Sequence, residues 1–373
     1  MRIVVVVGTR PEAIKMAPVY KALQATQGLD PILISTGQHR EMIQQVFDWF
    51  NLKPDEDLQV MRPNQTLTQV MTRSLAGLDQ MIEKYTPSVV LAQGDTTTVT
   101  AAALVAFNNE IPFGHVEAGL RTYDLNRPFP EEGFRQMAGR VAKWHFAPTR
   151  RAAAALQDEQ VNGDIHIVGN TVIDALLSTA RRDPDIGITL QRDKLCLITG
   201  HRRENHGPRF EAAFGSLARL AKENPDTDFI YPVHLNPNVK VAAHRILDGL
   251  ANIQLIAPVP YPQMVALMKR SRLIITDSGG IQEEAPSLGV PVLVMRNSTE
   301  RQEAVECNVA KLVGTDAKLI VSSANELLRD DAAHARMSNA SNPFGDGRSA
   351  QNICGILKEY AESVSQRAEA VMS

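Results

Sequence analysis

The chain has 373 residues, 44% of them hydrophobic and 22% charged, with a formal net charge of -3. Such a length suits two domains rather than one core. The near-neutral charge argues against a nucleic-acid-binding surface or a polybasic membrane patch, so any phosphate-binding cations must be placed locally. Cys196, Cys307 and Cys354 are odd in number and widely spaced, forming neither a disulfide framework nor a CxxC metal pair, as expected of a cytoplasmic protein.

The opening run Ile3–Val7 is too short for a signal-peptide core and leads straight into Gly8-Thr9-Arg10-Pro11, so it reads as a buried parallel strand. No stretch approaches the ~20 apolar residues of a membrane span. Further strands are expected at 31–35, 88–92, 113–116 and 144–147, with helical patterns at 13–25, 40–50, 67–84, 98–108 and 132–141. The second half repeats the plan: strands near 194–199, 228–231, 253–256, 273–276 and 290–293, helices near 210–222, 239–247, 263–269 and 281–288. This alternation predicts an α/β protein of two doubly wound Rossmann-like domains facing a central cleft, with ligands at the carboxyl ends of the strands. A seam is expected between Gly169 and Asp193. The expected domains are 1–168 and 169–348, followed by a helix over 349–373 packing back on the first.

Three groups of residues carry the chemistry. Gly8–Pro18 follows the first strand: Gly8 permits a tight turn, Pro11 suits a first helical turn, and Arg10 and Lys15 bring positive charge to a helix N-terminus. It reads equally as an anion site or as an ordinary βα turn with two solvated bases. It is not a GxGxxG fingerprint, which disfavours a nicotinamide cofactor. Asp277–Ala285 follows the strand at 273–276. Gly279 and Gly280 let backbone N–H groups approach phosphate, Ser278 can donate, and Glu284 can accept from a ribose diol. Capping by Asp277 or Ser278 is compatible with that reading. The third group is a series of acids and histidines at strand ends: Asp95, Glu117, Glu131, His201 and His234. Singly, each suits a loop salt bridge or a cap, and Glu131 suits a first-turn helix acid. Together they read as a cleft lined by two or three carboxylates and several cations.

The segments GTRPEAIKMAP (8–18), QHREM (38–42), GDTTT (94–98), HVEAGLRT (115–122), GNTVIDAL (169–176), GHRREN (200–205), YPVHLNPNV (231–239) and TDSGGIQEEAPSLGVPVLVMR (276–296) closely resemble the non-hydrolysing UDP-N-acetylglucosamine 2-epimerases. The resemblance implies a glycosyltransferase-B-like fold, a homodimer, a small-molecule UDP-sugar as partner and no cofactor or metal. It implies reversible inversion at C2 between UDP-GlcNAc and UDP-ManNAc, by anti elimination of UDP to 2-acetamidoglucal and re-addition, supplying ManNAc units for bacterial surface polysaccharide. Asp95, Glu117 and Glu131 match the acid/base carboxylates, and His201 the histidine at the diphosphate. Arg10, Lys15, Ser278, Gly279, Gly280, Glu284 and Arg301 match the UDP contacts. Gln38, His39, Gln65, Arg202 and His234 match an activating second UDP-GlcNAc site of some bacterial members. Glu41 and Asn64 differ there, so weaker or altered activation is expected. Other departures are Phe134 beside the Glu131 motif, Gln302 after Arg301, and Phe344 in the NPFGDG segment. The competing readings are a hydrolysing epimerase, a glycosyltransferase of the same fold and a silent nucleotide-sugar sensor.

Overall fold

The computed structural model describes residues 1–38, 40–200 and 208–372. The chain forms two compact units, one of Met1–Ala175 with Phe344–Ser373 and the other of Leu176–Pro343. In the first unit the strands are β1 (Arg2–Val7), β2 (Asp30–Ser35), β3 (Glu56–Asp57), β4 (Val89–Gln93), β5 (Phe113–Val116), β6 (Trp144–Ala147) and β7 (Asp164–Ile167). They pair in parallel in the order β3-β2-β1-β4-β5-β6-β7. The unbroken valine run of β1 is buried on both faces, each side chain worth roughly 1.5–3 kcal/mol, because helices cover both sides of the sheet.

The second unit has β8 (Lys194–Thr199), β9 (Thr227–Pro232), β10 (Ile253–Ile256), β11 (Leu273–Thr276), β12 (Val292–Val294) and β13 (Ala310–Leu312), in the order β10-β9-β8-β11-β12-β13. Both sheets are therefore doubly wound, with strand order reversing at β1/β4 and at β8/β11. Loops leaving these strands at their carboxyl ends diverge and leave a crevice, which is where this architecture places ligands. The polar segment before β8 is fastened by Asp228. This buried carboxylate accepts from the Gln191 and Arg192 N–H groups at 2.7 and 2.9 Å and pairs with the Arg192 guanidinium at 2.8 Å.

The expected boundary at 168/169 differs from this division. Gly169–Ala175 and 344–348 group with the first unit, and the chain changes unit within the helix Thr171–Arg181. The reason is local bonding. The Asn170 N–H donates to the Phe344 carbonyl at 2.7 Å, and Asp174 accepts from the Ser349 and Ala350 N–H groups at 3.2 and 2.9 Å. Asp174 thereby caps the C-terminal helix Ser349–Met372, which packs on the first unit through Ile353, Leu357 and an edge-on contact of Tyr360 with Trp144. Among the described residues, no helix is long and apolar enough to cross a membrane.

Candidate active site

In the first unit, the turn after β1 enters the helix Arg10–Ala25. Gly8 is needed there, since a Cβ would lie 2.1 Å from the Thr98 hydroxyl and 2.5 Å from that of Thr36. Arg10 begins the helix and is exposed. One turn on, the Lys15 ammonium reaches the Glu117 carboxylate at 2.5 Å, both side chains being largely buried. Gln93, at the end of β4, donates to the same oxygen of Glu117. Glu117 itself sits just past β5 at φ +63, in the left-handed region that a non-glycine residue occupies only when its surroundings hold it there.

Asp95 follows Gln93-Gly94 and pairs with Arg135 at 2.6 Å. Arg135 belongs to the helix Glu131–Val141 and also lies 3.6 Å from Glu132. Burial raises the Asp95 carboxyl above its ordinary range. Arg135 opposes the rise, Glu117 adds to it, Lys15 opposes it, and Glu131 adds to it. Glu117 and Glu131 are thus both within electrostatic reach of Asp95, as are the cations Lys15 and Arg135. Such crowding pushes neighbouring carboxyls towards different protonation states.

The adjacent acids Glu131 and Glu132 have opposite fates. Glu132 is fully buried and accepts from Thr122 N–H, Tyr123 N–H and the Gln136 carboxamide at 3.0, 3.1 and 2.8 Å. Burial works against its ionisation, but Gln136, the two backbone donors and Arg135 together hold its carboxyl below the usual range. It is saturated, and its work is to hold the loop after Glu117. Glu131 opens the helix and has a buried Oε2 with no hydrogen-bond partner. Helix-start acids satisfied by the dipole alone are ordinary. A buried acceptor left open beside two other carboxylates is not.

His115, in β5, is neutral: burial pushes it down to about 4, and its Nε2 meets the Gly94 carbonyl at 2.7 Å. It braces the turn before Asp95 and is not placed as a proton carrier. Gln38 accepts from the Thr98 hydroxyl at 3.2 Å. Gln65 accepts from Arg62 N–H and from Arg73, both at 2.5 Å, in a loop whose Val60 N–H donates to the Thr36 carbonyl at 2.9 Å. Gln38 and Gln65 therefore border the same strand-end segment.

In the second unit, Thr276 ends β11 and its hydroxyl accepts from the Ser278 N–H at 2.9 Å. Ser278 is the N-cap residue of the helix Gly279–Glu284, yet its hydroxyl makes no capping bond. The expected helix over 281–288 begins two residues earlier and tightens to a 3-10 turn at Ala285–Leu288, where Pro286 lacks the N–H that α geometry needs. The expected strand at 290–293 runs over Val292–Val294. The Arg301 guanidinium lies over Gly279, 3.1 Å from where a Cβ would stand, and Glu284 lies 3.4 Å from the corresponding point at Gly280. Ser278, Gly279, Gly280, Glu284 and Arg301 thus surround one helix N-terminus. Arg301 is aimed by Glu283 at 2.7 Å, and its N–H is held by Thr299, whose hydroxyl donates to buried Gln282 at 2.7 Å. Glu300 fastens Arg296 through two bonds at 2.8 and 3.2 Å. Burial opposes its charge, but Arg296 foremost brings its carboxyl down to about 2. Helix-start N–H groups, a hydroxyl and a guanidinium at one point are the donors with which proteins bind anions. His234 is exposed after β9, its Nδ1 accepting from the Asn236 N–H at 3.1 Å. His39, His201 and Arg202 lie outside the described residues. Among the described residues, no group of three or more His, Cys, Asp or Glu side chains could hold a metal ion.

Sequence reading alone does not single out Glu12, Gln93, Glu132 or Arg135. The signal available for Arg135 is its spacing of four from Glu131 and three from Glu132, which puts all three on neighbouring helix positions. The partnership of Arg135 with Asp95 spans a helix and a distant strand end and leaves no local trace.

Twin parallel Rossmann-like sheets, each with polar groups at its switch point, define a glycosyltransferase-B-like α/β protein. The glycotransferase of kitacinnamycin, only 15% identical, shares this fold with a TM-score of 0.62. The family model for UDP-N-acetylglucosamine 2-epimerase matches residues 21–358, and the chain belongs to that family. A probable UDP-N-acetylglucosamine 2-epimerase of Ralstonia solanacearum is 48% identical over 371 residues, covering 96% of this chain and 99% of the relative. The crystal structure of the Neisseria meningitidis UDP-GlcNAc 2-epimerase bound to UDP-GlcNAc is similar with a TM-score of 0.87, at 42% identity, covering 96% of this chain and 100% of that one.

Proposed function

We propose that this chain interconverts UDP-GlcNAc and UDP-ManNAc at C2 without net hydrolysis. The observation that carries the reading is the gathering of Asp95, Glu117 and Glu131 around Lys15 and Arg135, with burial raising the Asp95 carboxyl above its ordinary range. Inversion at a carbon needs a base on one face and an acid on the other, which a single carboxylate cannot supply. The C2 proton is poorly acidic, so its removal is coupled to departure of the group at C1. One carboxylate takes the C2 proton as the C1–O bond breaks, and UDP leaves with the bonding electron pair, giving 2-acetamidoglucal. UDP oxygen then re-adds to C1 while a second carboxyl delivers a proton to the opposite face of C2. No redox cofactor enters this balance.

The anion site of the second unit suits the diphosphate. N–H groups at Gly279 and Gly280, the Ser278 hydroxyl and Arg301 favour the charge that develops on UDP, while Glu284 accepts from ribose hydroxyls. In this reading Arg10 adds charge at the first unit's helix N-terminus. The named relatives and the UDP-GlcNAc complex of the Neisseria enzyme support the choice of substrate.

The test is incubation with UDP-GlcNAc in deuterated water. Deuterium should appear at C2 of both epimers while the total UDP-sugar stays constant. Epimerisation without exchange would overturn the elimination route, and stoichiometric release of free ManNAc would overturn the non-hydrolysing reading.

A further inference from the structure

The turn after β1 lies against the helix after β4 at the first unit's switch point, since a Cβ at Gly8 would stand 2.1 Å from the Thr98 hydroxyl, and one buried acid holds that turn. Glu12 is only 2% exposed although it is an acid in the first turn of a helix, where acids ordinarily face water. Its Oε2 accepts from the Gly8 N–H at 2.6 Å and from the Thr9 N–H at 3.2 Å. Its other oxygen, Oε1, is buried without a hydrogen-bond partner, and the turn it holds lies against Thr98, three residues after Asp95 in the helix Thr97–Asn108.

We propose that Glu12 is a positioning residue for the epimerase reaction, a single side chain that fixes the turn bearing Arg10 and Lys15 where it packs against the helix following Asp95. The inference rests on the reading of those residues given above. Its physical basis is that two backbone N–H groups in a dry turn have no other acceptor, so the turn's path follows the carboxyl that binds them. Lys15 is three residues further along the same helix and in contact with Glu117, so a shift of that turn moves the Lys15–Glu117 pair relative to Asp95. Burial brings the Glu12 carboxyl up to about 7, so its neutral form is well populated near neutral pH. A carboxamide, which keeps an acceptor oxygen for Gly8 and Thr9 and carries no charge, is therefore the closest isostere.

The experiment measures kcat and KM for C2 epimerisation, together with thermal unfolding and UDP affinity, in wild type, Glu12→Gln, Glu12→Asp and Glu12→Ala. Misplacement of acid/base groups costs turnover, so Glu12→Ala should lower kcat by about tenfold or more. KM and UDP affinity should change less than kcat, because all the proposed UDP contacts other than Arg10 and Lys15 lie in the other unit. Glu12→Gln should restore kcat to within about threefold of wild type. Glu12→Asp keeps the charge but falls one methylene short of Gly8, and should behave like the alanine variant. If Glu12→Ala does not fold, the comparison of Gln with Asp decides alone. The proposal is overturned if kcat per folded molecule is unchanged in Ala or Asp, or if Gln is as impaired as Asp. Failure of wild type to exchange deuterium at C2 would instead strike the epimerase reading itself.

Discussion

Asp95 is held between burial, which raises its carboxyl above the ordinary range, and Arg135, which opposes the rise. Asp95→Asn should reduce kcat by about a hundredfold or more while UDP affinity, read by calorimetry, changes little. A loss confined to affinity would remove Asp95 from proton transfer. Glu12 makes a second, thermodynamic prediction. Its carboxyl rises from an ordinary 4.5 to about 7. The folded protein then binds this proton more tightly than the unfolded chain, so the contribution to stability is full below about pH 4.5 and is lost as pH rises through 7. Glu12→Gln lacks that proton equilibrium. Relative to wild type it should gain about 2–3 kcal/mol of unfolding free energy between pH 5 and pH 8 in denaturant titrations. A difference that stays constant with pH would show that Glu12 does not titrate in this range.

At the scale of the element, the loop from Glu117 to Glu131 depends on tight backbone approach. Gly119 has φ +90, and a Cβ there would lie 2.2 Å from the Ala152 carbonyl oxygen. Gly119→Ala should therefore destabilise by about 3 kcal/mol or more, visible as a lowered Tm, with a matching fall in activity because Glu117 is two residues away. An unchanged Tm would mean the loop can move aside at no cost. The same scale shows what the sequence disclosed. Strands β1, β4, β8 and β11 are dense apolar runs because they are buried on both faces, and that signal survives in one dimension. β3 has two residues, Glu56-Asp57, and β7 is Asp164-Ile165-His166-Ile167 with both ends exposed. These edge strands form by pairing with a neighbour already in place, so composition does not announce them. The paired glycines after β11 and the acids after β4 and β5 were legible for a like reason, being local departures from their flanks. The saturation of Glu132 and the exclusion of His115 from proton transfer depend on partners far along the chain, and became visible only in three dimensions.

At the scale of the molecule, the first unit is completed by the last helix. Ile353 and Leu357 are fully buried, and Asn352 donates to the Val168 carbonyl at 3.3 Å. Deleting residues 349–373 should cost the first unit on the order of 5 kcal/mol while sparing the second. Hydrogen exchange of the truncated chain should accordingly rise across β1–β7 and stay unchanged across β8–β13. Uniform exchange would mean that the helix is an accessory. If the homodimer that the family resemblance implies forms, sedimentation should correspond to twice the 41.0 kDa chain mass, and a single chain mass would remove it.

A unit assembled from both ends of one chain also has a timetable. The ribosome delivers β1 to β7 first, yet that sheet lacks its closing helix until residues 349–373 emerge, after every strand of the second unit. The portion made first is thus the portion finished last. Its apolar surface around Val19 and Trp144 stays uncovered throughout synthesis of the rest, the interval in which nascent chains are most open to chaperones and to aggregation.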